Sequence, residues 1–480
     1  MKHFAFLSLA TFICVGVGVF APIWPLVWYY ALAVLRPQHL WEWSLPVEVR
    51  WSLIAAMVTL GAVLVNASHC LQRVRGSLVI ALLFAMGVLV LASATLSSQP
   101  DLSVAWMFEY GKVLMMAMVA CVVIERFAHL RAMGVMMLIV TGYIAWGVNK
   151  DYLFNGYGMR LFLHGHGGYD GNGAALLIAL GVPFAYSALS LFRQPLHRGW
   201  MTATACVAAI FIIHAVMLSY SRTGMVALAA GLCWILWRHR PRRQVVVLAP
   251  AVTVVILALA GQEIRDEFLS TRDYETDPTA QSRIEAWGAA WNIALEYPLL
   301  GVGLRASNVY NTNFGVGVAG RTTHNQYLQT AADNGLPALG VFLALVGCSF
   351  HGASKGRRLA QDALDRAGDD RDTSDLEHAR QLCTAIEASI VIIAVGGMFL
   401  SLETFEPMWL IIVMGGIAPR LVEQRVADFE GSSDTQPDIP AEDDTHSAAA
   451  EPQPDAPPAA AGSEATPPLT YAERQRLAAA

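Results

Sequence analysis

Apolar runs close to 20 residues long recur along most of the chain and are separated by short polar segments. A helix of about 20 apolar residues spans a hydrocarbon core of about 30 Å, so the pattern predicts an all-α, polytopic integral membrane protein. The predicted spans are residues 4–35 (one long or two short helices), 52–66, 77–96, 107–124, 131–147, 173–192, 203–219, 223–237, 244–261, 335–351, 385–401 and 407–422. With one span in the first run, the chain has about 12 transmembrane helices.

Residues 428–480 differ in composition from the rest of the chain. They contain 11 of the 38 acidic residues and 2 of the 32 basic ones, and they include the stretch "DAPPAAAGSEATPP". Such a segment cannot bury enough apolar surface to fold. We therefore expect a transmembrane domain over residues 1–427 and a disordered, acidic, Pro/Ala-rich cytoplasmic tail over residues 428–480.

Basic residues in short loops predict the orientation, because such loops favour the cytoplasm. The run "RHRPRR" at 238–243 and the residues Lys355, Arg357 and Arg358 mark cytoplasmic loops. With one span over residues 4–35, both termini are cytoplasmic, whereas two spans would put the N-terminus outside. The segments predicted to lie outside are 36–51, 97–106, 148–172, 220–222 and 262–334.

Many arginines fall in these exterior segments, against the usual bias. Among them are Arg160, Arg222, Arg265, Arg272, Arg283, Arg305 and Arg321. A guanidinium group presents a planar fork of donors to phosphate oxygens, so the pattern predicts an anion-binding surface. For Arg222, at a junction of two spans, the alternative is that its long side chain extends to the interface.

The segment 262–334 is the one large exterior insertion, and it contains the amphipathic stretch "SRIEAWGAAWNIALEYP". Ser282 and Glu285 have the spacing of a capping box, which favours a capping role for Glu285 over a catalytic one. Arg283 would then lie at the helix start, where the helix dipole disfavours a cation, and this suggests a functional role. Trp287 and Trp291 fit interfacial positions.

The stretch "RTTHNQYLQTAADNGL" (321–336) precedes a long apolar run. Thr323 and Gln326 are spaced as a second capping box, which predicts a helix that begins at His324 and ends at Asn334-Gly335. Near a helix start the dipole lowers the pKa of a histidine, and a neutral imidazole can act as a general base. The alternative is a structural histidine that is hydrogen-bonded in a polar loop.

The stretch "GMRLFLHGHGGYDGNGAA" (158–175) contains His164, His166 and Asp170 among six glycines. These three residues could suggest a metal site, but the spacing favours a flexible loop that lines a cavity. The seven cysteines show no spacing typical of a zinc site or a disulfide framework. No metal and no cofactor are therefore expected.

Three motifs in the same order resemble those of the O-antigen ligase superfamily. They are "SYSRTG", "RIEAWGAAWNIALEYPLLGVGL" and "THNQYLQTAADNGL", and the resemblance covers about residues 160–420. That superfamily includes O-antigen ligases, O-antigen polymerases and protein O-oligosaccharyltransferases. The N-terminal stretch "WPLVWYYALAVLRPQHLWEW" resembles a branch of exosortase-associated O-glycosylation ligases.

The resemblance implies a metal-independent membrane glycosyltransferase of the GT-C type in the bacterial inner membrane. It would transfer a glycan from undecaprenyl diphosphate to a hydroxyl of lipid A core, a glycan or a protein at the periplasmic face. Inversion of the anomeric configuration follows if there is one displacement. The matching motifs put the catalytic residues at His324, Arg222 and Arg283. Arg222 and Arg283 would also bind the diphosphate, and the charge pattern adds Arg321, Arg305 and Arg160 to that set.

Two alternatives remain open. A polymerase or a protein O-oligosaccharyltransferase would use the same chemistry on a different acceptor. A transporter or flippase of lipid-linked sugars belongs to another class, although the chain shows no internal repeat of the kind common in transporters. The expected partners are a lipid-linked glycan, its acceptor and membrane lipids, and nothing in the charge pattern suggests nucleic acid.

Overall fold

A computed structural model describes residues 2–46, 49–67, 77–156, 160–191, 195–239, 278–317, 320–367 and 371–431. Within these ranges the structure is helical, and its one β-type pairing is an isolated bridge between His166 and Tyr169. The described helices are α1 (Lys2–Gly18), α2 (Ile23–Leu35), α3 (Pro37–Leu40), α4 (Trp51–Val65), α5 (Leu78–Thr95), α6 (Pro100–Val123), α7 (Phe127–Asn155), α8 (Arg160–His164), α9 (Gly171–Ala179), α10 (Gly181–Ala188), α11 (Pro195–Met217), α12 (Arg222–His239), α13 (Pro278–Glu296), α14 (Ser307–Tyr310), α15 (Gln326–Arg366), α16 (Ser374–Gly396) and α17 (Glu406–Gly431).

Six of the described helical segments are long and apolar enough to cross a membrane. They are α5, α6, α7, the nearly continuous pair α9–α10, α15 and α16. The helices α1, α2, α4 and the part of α11 from Thr202 to Met217 are apolar but shorter. The predicted all-α membrane protein is thus confirmed, whereas the count of 12 and the GT-C arrangement stay predictions. The predicted span 244–261 and the tail from residue 432 onward lie outside the described residues.

The first apolar run, residues 4–35, forms two helices rather than one. The chain turns between α1 and α2, where Gly18 packs so tightly that a Cβ there would lie 2.7 Å from Pro25 Cγ. The His3 ring stacks on Trp41 with the ring centroids 4.6 Å apart. The start of the chain therefore lies at the same end of the bundle as the segment that follows α2, and of the two alternatives for the first apolar run the structure has two short helices.

The polar segments predicted to lie outside meet at one end of the helix bundle. Ser98 N donates to Val302 O over 2.9 Å, and Arg36 Nη1 donates to Gly167 O over 2.5 Å. We call this the site end. The described segments there include 36–46, 97–106, 160–172, 220–222, 297–317 and 320–326.

Basic residues that predicted cytoplasmic loops converge on one carboxylate at the opposite end. Glu387 on α16 is fully buried and accepts hydrogen bonds from Arg238 Nε at 2.7 Å, Ser354 Oγ at 2.7 Å and Arg357 Nε at 3.3 Å. A buried charge needs such partners, because burial without them is costly. The two ends of the bundle agree with the predicted sidedness, although the side that faces the cytoplasm stays a prediction.

Small residues allow the central helices to approach each other closely. A Cβ at Gly352 on α15 would lie 2.4 Å from Gly415 O on α17, and one at Gly231 on α12 would lie 2.5 Å from Ile392 Cγ1 on α16. Close backbone contact at small residues is a common way to pack helices in a membrane, where apolar surfaces alone do not favour association.

Helix α15 bends sharply at Gly335, close to the helix end predicted at Asn334-Gly335. Gly335 has φ 86° and ψ 168°, a conformation that side chains with a Cβ rarely adopt. Leu336 N bonds to Pro298 O at 2.8 Å instead of continuing the helix. Pro337 follows and has no N–H to donate. The break therefore removes two helical hydrogen bonds from the preceding turn.

The two carbonyl groups left over by this break belong to Ala332 and Asp333, and both find other donors. Val302 N donates to Ala332 O at 3.0 Å, and Gly303 N donates to Asp333 O at 3.0 Å. Ser93 Oγ also donates to Asp333 O, at 2.6 Å. The loop that follows α13 thus satisfies the backbone of the kink in α15.

Replacing Gly335 with Ala should lower the melting temperature of the purified protein in detergent. A Cβ at this position would lie 2.3 Å from Leu299 O and would also meet the positive φ. This combination of positive φ and extended ψ is essentially restricted to glycine, and it costs a residue with a Cβ roughly 1–3 kcal/mol before any clash.

Gly340→Ala is the matched control for this prediction. Gly340 lies on the same helix with nothing within 4 Å of its Cβ position, so the extra methyl should leave the melting temperature unchanged or raise it slightly. Equal melting temperatures for the two variants would contradict the proposed strain at Gly335.

Candidate functional site

The Gly-rich loop 298–307 is fixed on α15 by one buried carboxylate. Asp333 is fully buried, and it accepts hydrogen bonds from Arg305 N at 2.9 Å and Ser307 N at 3.1 Å. Gln329, one turn earlier on α15, donates to Asp333 Oδ2 at 2.7 Å and to Ser307 Oγ at 2.9 Å. The loop geometry is therefore set by side chains of α15, and the loop in turn positions Arg305.

The Arg305 side chain is held from two sides. Its Nη2 lies 3.1 Å from Glu403 Oε2, and the Glu403 side chain is only 2% exposed. Its guanidinium carbon lies 4.7 Å from the centre of the Trp106 ring, a distance at which a cation and an aromatic face attract each other. The backbone of Arg305 is left-handed, with φ 60°. This arginine is thus ion-paired and fixed in place.

His324 lies just before α15 rather than in its first turn. The helix begins at Gln326 with Asn325 as its N-cap, whose Oδ1 accepts two N–H groups of the first turn at 3.0 and 3.1 Å. The predicted capping box of Thr323 and Gln326 was therefore wrong. Asn caps at least as well as Thr, and His324 adopts a left-handed φ of 49° that ends any helical geometry before it.

The environment of the His324 ring lowers its pKa below the usual value for histidine. Burial of the ring is the largest cause, the positive charge of Arg283 comes next, and Asp170 opposes both by raising the pKa. Arg305 also lowers the pKa. The predicted direction is right, but the cause is burial and nearby guanidinium groups instead of the helix dipole. Within the described chain, the His324 ring makes no hydrogen bond.

Helix α13 begins earlier than the sequence predicts, so its residues occupy different positions. It starts at Pro278, which places Ser282 and Arg283 in the second turn instead of at the N-terminus. The predicted capping box of Ser282 and Glu285 was therefore wrong, and so was the argument that the helix dipole disfavours Arg283. Arg283 faces His324 because of its position on the helix, as its effect on the His324 pKa indicates.

Two contacts join α13 to the segment that carries His324. Arg321 Nη1 lies 3.0 Å from Glu285 Oε2, and Trp287 Nε1 donates to Thr323 O at 2.9 Å. Glu285 is thus an ion-pair partner rather than a cap, and Trp287 has a contact that positions the His324 segment. Trp291 is 47% exposed.

Arg222 is the first residue of α12, and its neighbours explain the motif "SYSRTG". Ser221 caps the helix by accepting a hydrogen bond from Gly224 N at 3.0 Å, and it donates to Asn172 Oδ1 at 2.6 Å. Gly224 lets α12 approach α9, because a Cβ there would lie 2.5 Å from Ala175 Cβ. These contacts hold Arg222 beside the start of α9.

Asp170 connects this junction to the histidine. It is the N-cap of α9 and accepts a hydrogen bond from Gly173 N at 2.7 Å. It lies two residues before Asn172, which binds the Ser221 hydroxyl, and its charge raises the His324 pKa. In the sequence, Asp170 is a candidate only for a metal ligand. The available signal was an Asp-x-x-Gly cap directly before an apolar run.

The loop that leads to Asp170 is held by hydrogen bonds, whereas the sequence predicted a flexible loop. Arg36 Nη1 donates to Gly167 O at 2.5 Å and Arg36 Nη2 donates to Tyr169 OH at 2.7 Å. Tyr169 OH donates in turn to Glu406 Oε2 at 2.8 Å. His166 is buried, and burial lowers its pKa to about 4.

His164, His166 and Asp170 do not form a common ligand set. His166 Nε2 lies 3.1 Å from Leu35 O, whereas Asp170 caps α9. Among the described residues, no group of three or more His, Cys, Asp and Glu side chains could hold a metal ion.

The structure brings most of the predicted site residues to the site end. His324 lies in the electrostatic field of Arg283, Arg305 and Asp170, and Arg222 reaches the same region through the contact of its neighbour with Asn172. Arg321 lies on the His324 segment and is paired with Glu285. Arg160 begins α8, and its side chain lies outside the described part of the structure.

The architecture and the site define a polytopic, α-helical membrane protein with a half-buried imidazole among arginines at one end of its bundle. The family model described as O-antigen ligase matches residues 207–343, from α11 to the middle of α15. This match supports the resemblance of the chain to the O-antigen ligase superfamily, whose members are ligase- or polymerase-like membrane glycosyltransferases. No curated protein matches the chain. Membership in the exosortase-associated branch stays a prediction.

The pKa of His324 should move in opposite directions when its two charged neighbours are neutralised. Arg283→Gln removes a cation and should raise the pKa, whereas Asp170→Asn removes an anion and should lower it. Asn caps a helix as well as Asp does, so the second variant keeps the start of α9. The measurement is the pH dependence of diethyl pyrocarbonate modification of the His324 peptide, followed by mass spectrometry.

Only the neutral imidazole reacts, so the wild-type reaction should persist to lower pH than that of free histidine. Shifts in the same direction for both variants, or no shift, would contradict the placement of these charges around the ring.

Proposed function

We propose that the chain transfers a glycan from undecaprenyl diphosphate to an acceptor hydroxyl, at a site end that faces the periplasm across the bacterial inner membrane. The observation that carries this proposal is the half-buried His324 imidazole, held beside Arg283 and Arg305 within the family-matched segment. The arginines suit a diphosphate, and the neutral imidazole suits a hydroxyl that must lose its proton.

Arg222 and Arg283 are the proposed ligands of the diphosphate. Arg283 acts on His324, and the residue before Arg222 contacts Asn172, two residues after Asp170. A guanidinium group binds phosphate oxygens in a bidentate manner. Negative charge grows on the diphosphate as the glycosyl bond breaks, and fixed cations lower the energy of that state. Arg305 adds to the field, although Glu403 shares its charge. Arg321 and Arg160 keep a secondary, peripheral part in diphosphate binding.

The transfer itself needs one bond to form and one to break. The acceptor oxygen attacks the anomeric carbon while the bond from that carbon to the diphosphate oxygen breaks and its electrons remain on undecaprenyl diphosphate. The acceptor proton moves to His324, and the imidazolium that forms is stabilised by the negative charge of Asp170. A single displacement of this kind inverts the anomeric configuration. No metal is required in this scheme, because the arginines supply the positive charge.

Replacing any of the three central residues should nearly abolish transfer by purified protein. For His324→Ala, Arg222→Ala and Arg283→Ala we expect a rate loss on the order of 10²–10³, the usual effect of removing one such electrostatic contact. Arg321→Ala is the matched control, because its charge is already shared with a half-exposed Glu285. Its loss should be much smaller.

The readout is the initial rate of glycan transfer in detergent, with melting temperatures of all variants measured in parallel. Wild-type rates from correctly folded His324→Ala protein would refute the proposed proton acceptor. A loss for Arg321→Ala as large as that for Arg283→Ala would mean that the diphosphate lies closer to Glu285 than we propose.

The product of a reconstituted reaction separates the proposal from its alternatives. Purified protein, lipid-linked glycan and lipid A core in detergent should yield glycan joined to the core, and EDTA should leave the rate unchanged. Longer lipid-linked chains would indicate a polymerase, and glycan on a supplied protein would indicate a protein O-oligosaccharyltransferase. A transporter or flippase makes no new bond under these conditions. Activity lost with EDTA and restored by magnesium would overturn the metal-free scheme.

A further inference from the structure

A cavity at the site end plays no part in the chemistry above. It has a volume of about 350 Å³ and is enclosed by α2, α3, α4, α6 and the start of α17. Its charged and ionisable lining residues are Arg36, His39, Arg50, Glu109, Lys112 and Glu406. The cavity therefore offers a ligand several fixed charges of both signs.

The cationic groups of this cavity outnumber its carboxylates. Lys112 Nζ lies 2.8 Å from Glu109 Oε1, and Arg50 Nη1 lies 3.9 Å from the same oxygen, so these two cations share one carboxylate. Arg36 is paired with Glu406 at 3.2 Å. The excess positive charge is thus on Arg50 and Lys112, whose side chains are 70% and 37% exposed. An anion can reach both of them.

Part of the remaining wall of the cavity is apolar, beside the polar residues Gln38 and Ser52. The apolar part is formed by Leu53, Met57 and Leu60 on α4 and by Val113 and Met115 on α6. Arg50 directly precedes α4, so the apolar residues of α4 extend from it toward the opposite end of the bundle. On both helices the charged residue therefore lies nearer the site end, and the apolar residues lie further from it. This order matches an amphiphile with an anionic head group.

We propose that this cavity binds the phosphate head group of an anionic membrane lipid, with an acyl chain along α4 and α6. Arg50 and Lys112 contact the phosphate, and the apolar walls take the upper part of the chain. The proposal is independent of glycosyl transfer, because neither Arg50 nor Lys112 belongs to the proposed catalytic residues.

Arg36 connects the same cavity to the loop that leads to Asp170. Arg36 lines the cavity and also holds Gly167 and Tyr169, the residues that lead to Asp170. A lipid phosphate beside Arg36 would add a further acceptor for this guanidinium group and so stabilise the loop. Bound lipid is therefore expected to raise the stability of the folded protein by mass action.

The test measures lipid binding by the full chain in detergent, by native mass spectrometry and by melting temperature. The probes are phosphatidylglycerol, phosphatidylcholine with the same acyl chains, and glycerol 1-phosphate. Phosphatidylglycerol should bind wild-type protein and raise its melting temperature, whereas the zwitterionic lipid should do so much less. Each cation near a membrane surface strengthens anion binding by about fivefold, so Arg50→Gln/Lys112→Gln should weaken binding by about 25-fold.

Lys150→Gln is the matched control, because Lys150 is an exposed cation on α7 that does not line the cavity. It should keep wild-type binding, and the single variant Arg50→Gln, at a largely exposed side chain, serves if the double variant fails to fold. Equal binding of both lipids, or unchanged binding by the double variant, would overturn the proposal. Binding of glycerol 1-phosphate as tight as that of phosphatidylglycerol would assign the site to a soluble phosphate ester and overturn the lipid assignment.

Discussion

The break in α15 at Gly335 is the constraint on which the site depends. Within a membrane protein each backbone polar group needs a partner inside the protein, because lipid offers none. The break leaves the carbonyl groups of Ala332 and Asp333 without helical donors, and the loop 298–307 supplies those donors. The Asp333 carboxylate binds the next part of the same loop. One helix break thus determines where the loop runs and where it places Arg305.

The electrostatics of His324 follow from this arrangement. Burial removes water from the ring, and two guanidinium groups arrive from α13 and from the loop that Asp333 holds. Each effect disfavours the imidazolium ion, so they add. Arg305 and His324 both have left-handed backbone, which costs about 1–2 kcal/mol for a residue with a Cβ. Such strain persists only where surrounding contacts enforce it, and it is frequent at functional sites.

Much of this could be predicted from local sequence. The apolar runs identify the helices, and Asn334-Gly335-Pro337 marks the break, because glycine and proline act on their own backbone. The helix starts could not be predicted in the same way. Ser282 and Thr323 have the spacing of caps, yet α13 begins at Pro278 and Asn325 caps α15, because several candidate caps stand close together and packing selects among them.

Ion pairs between residues distant in sequence could not be predicted from local patterns. Arg305 is paired with Glu403, and Arg36 with Glu406, across stretches of chain that no local pattern connects. Arg305 therefore looked like an available phosphate ligand in the sequence, and only the fold shows that a carboxylate already shares its charge. The effect of Asp170 on His324 could not be predicted either, because the local sequence indicates only its role as a helix cap.

The two ends of the bundle show what decides whether an arginine is structural or chemical. At one end, Arg238 and Arg357 direct their donors to Glu387, whose oxygens also accept from Ser354. In that cluster the donors and the carboxylate oxygens bind each other, and the positive and negative charges cancel locally. At the site end, Arg305 is also paired with a carboxylate, that of Glu403, but its field and that of Arg283 still act on an imidazole that makes no hydrogen bond within the described chain. Residue type alone does not separate the two cases, since both use buried guanidinium groups. The difference lies in the group that receives the field: a fixed carboxylate gives a stable contact, whereas a titratable ring gives a group that can take up a proton.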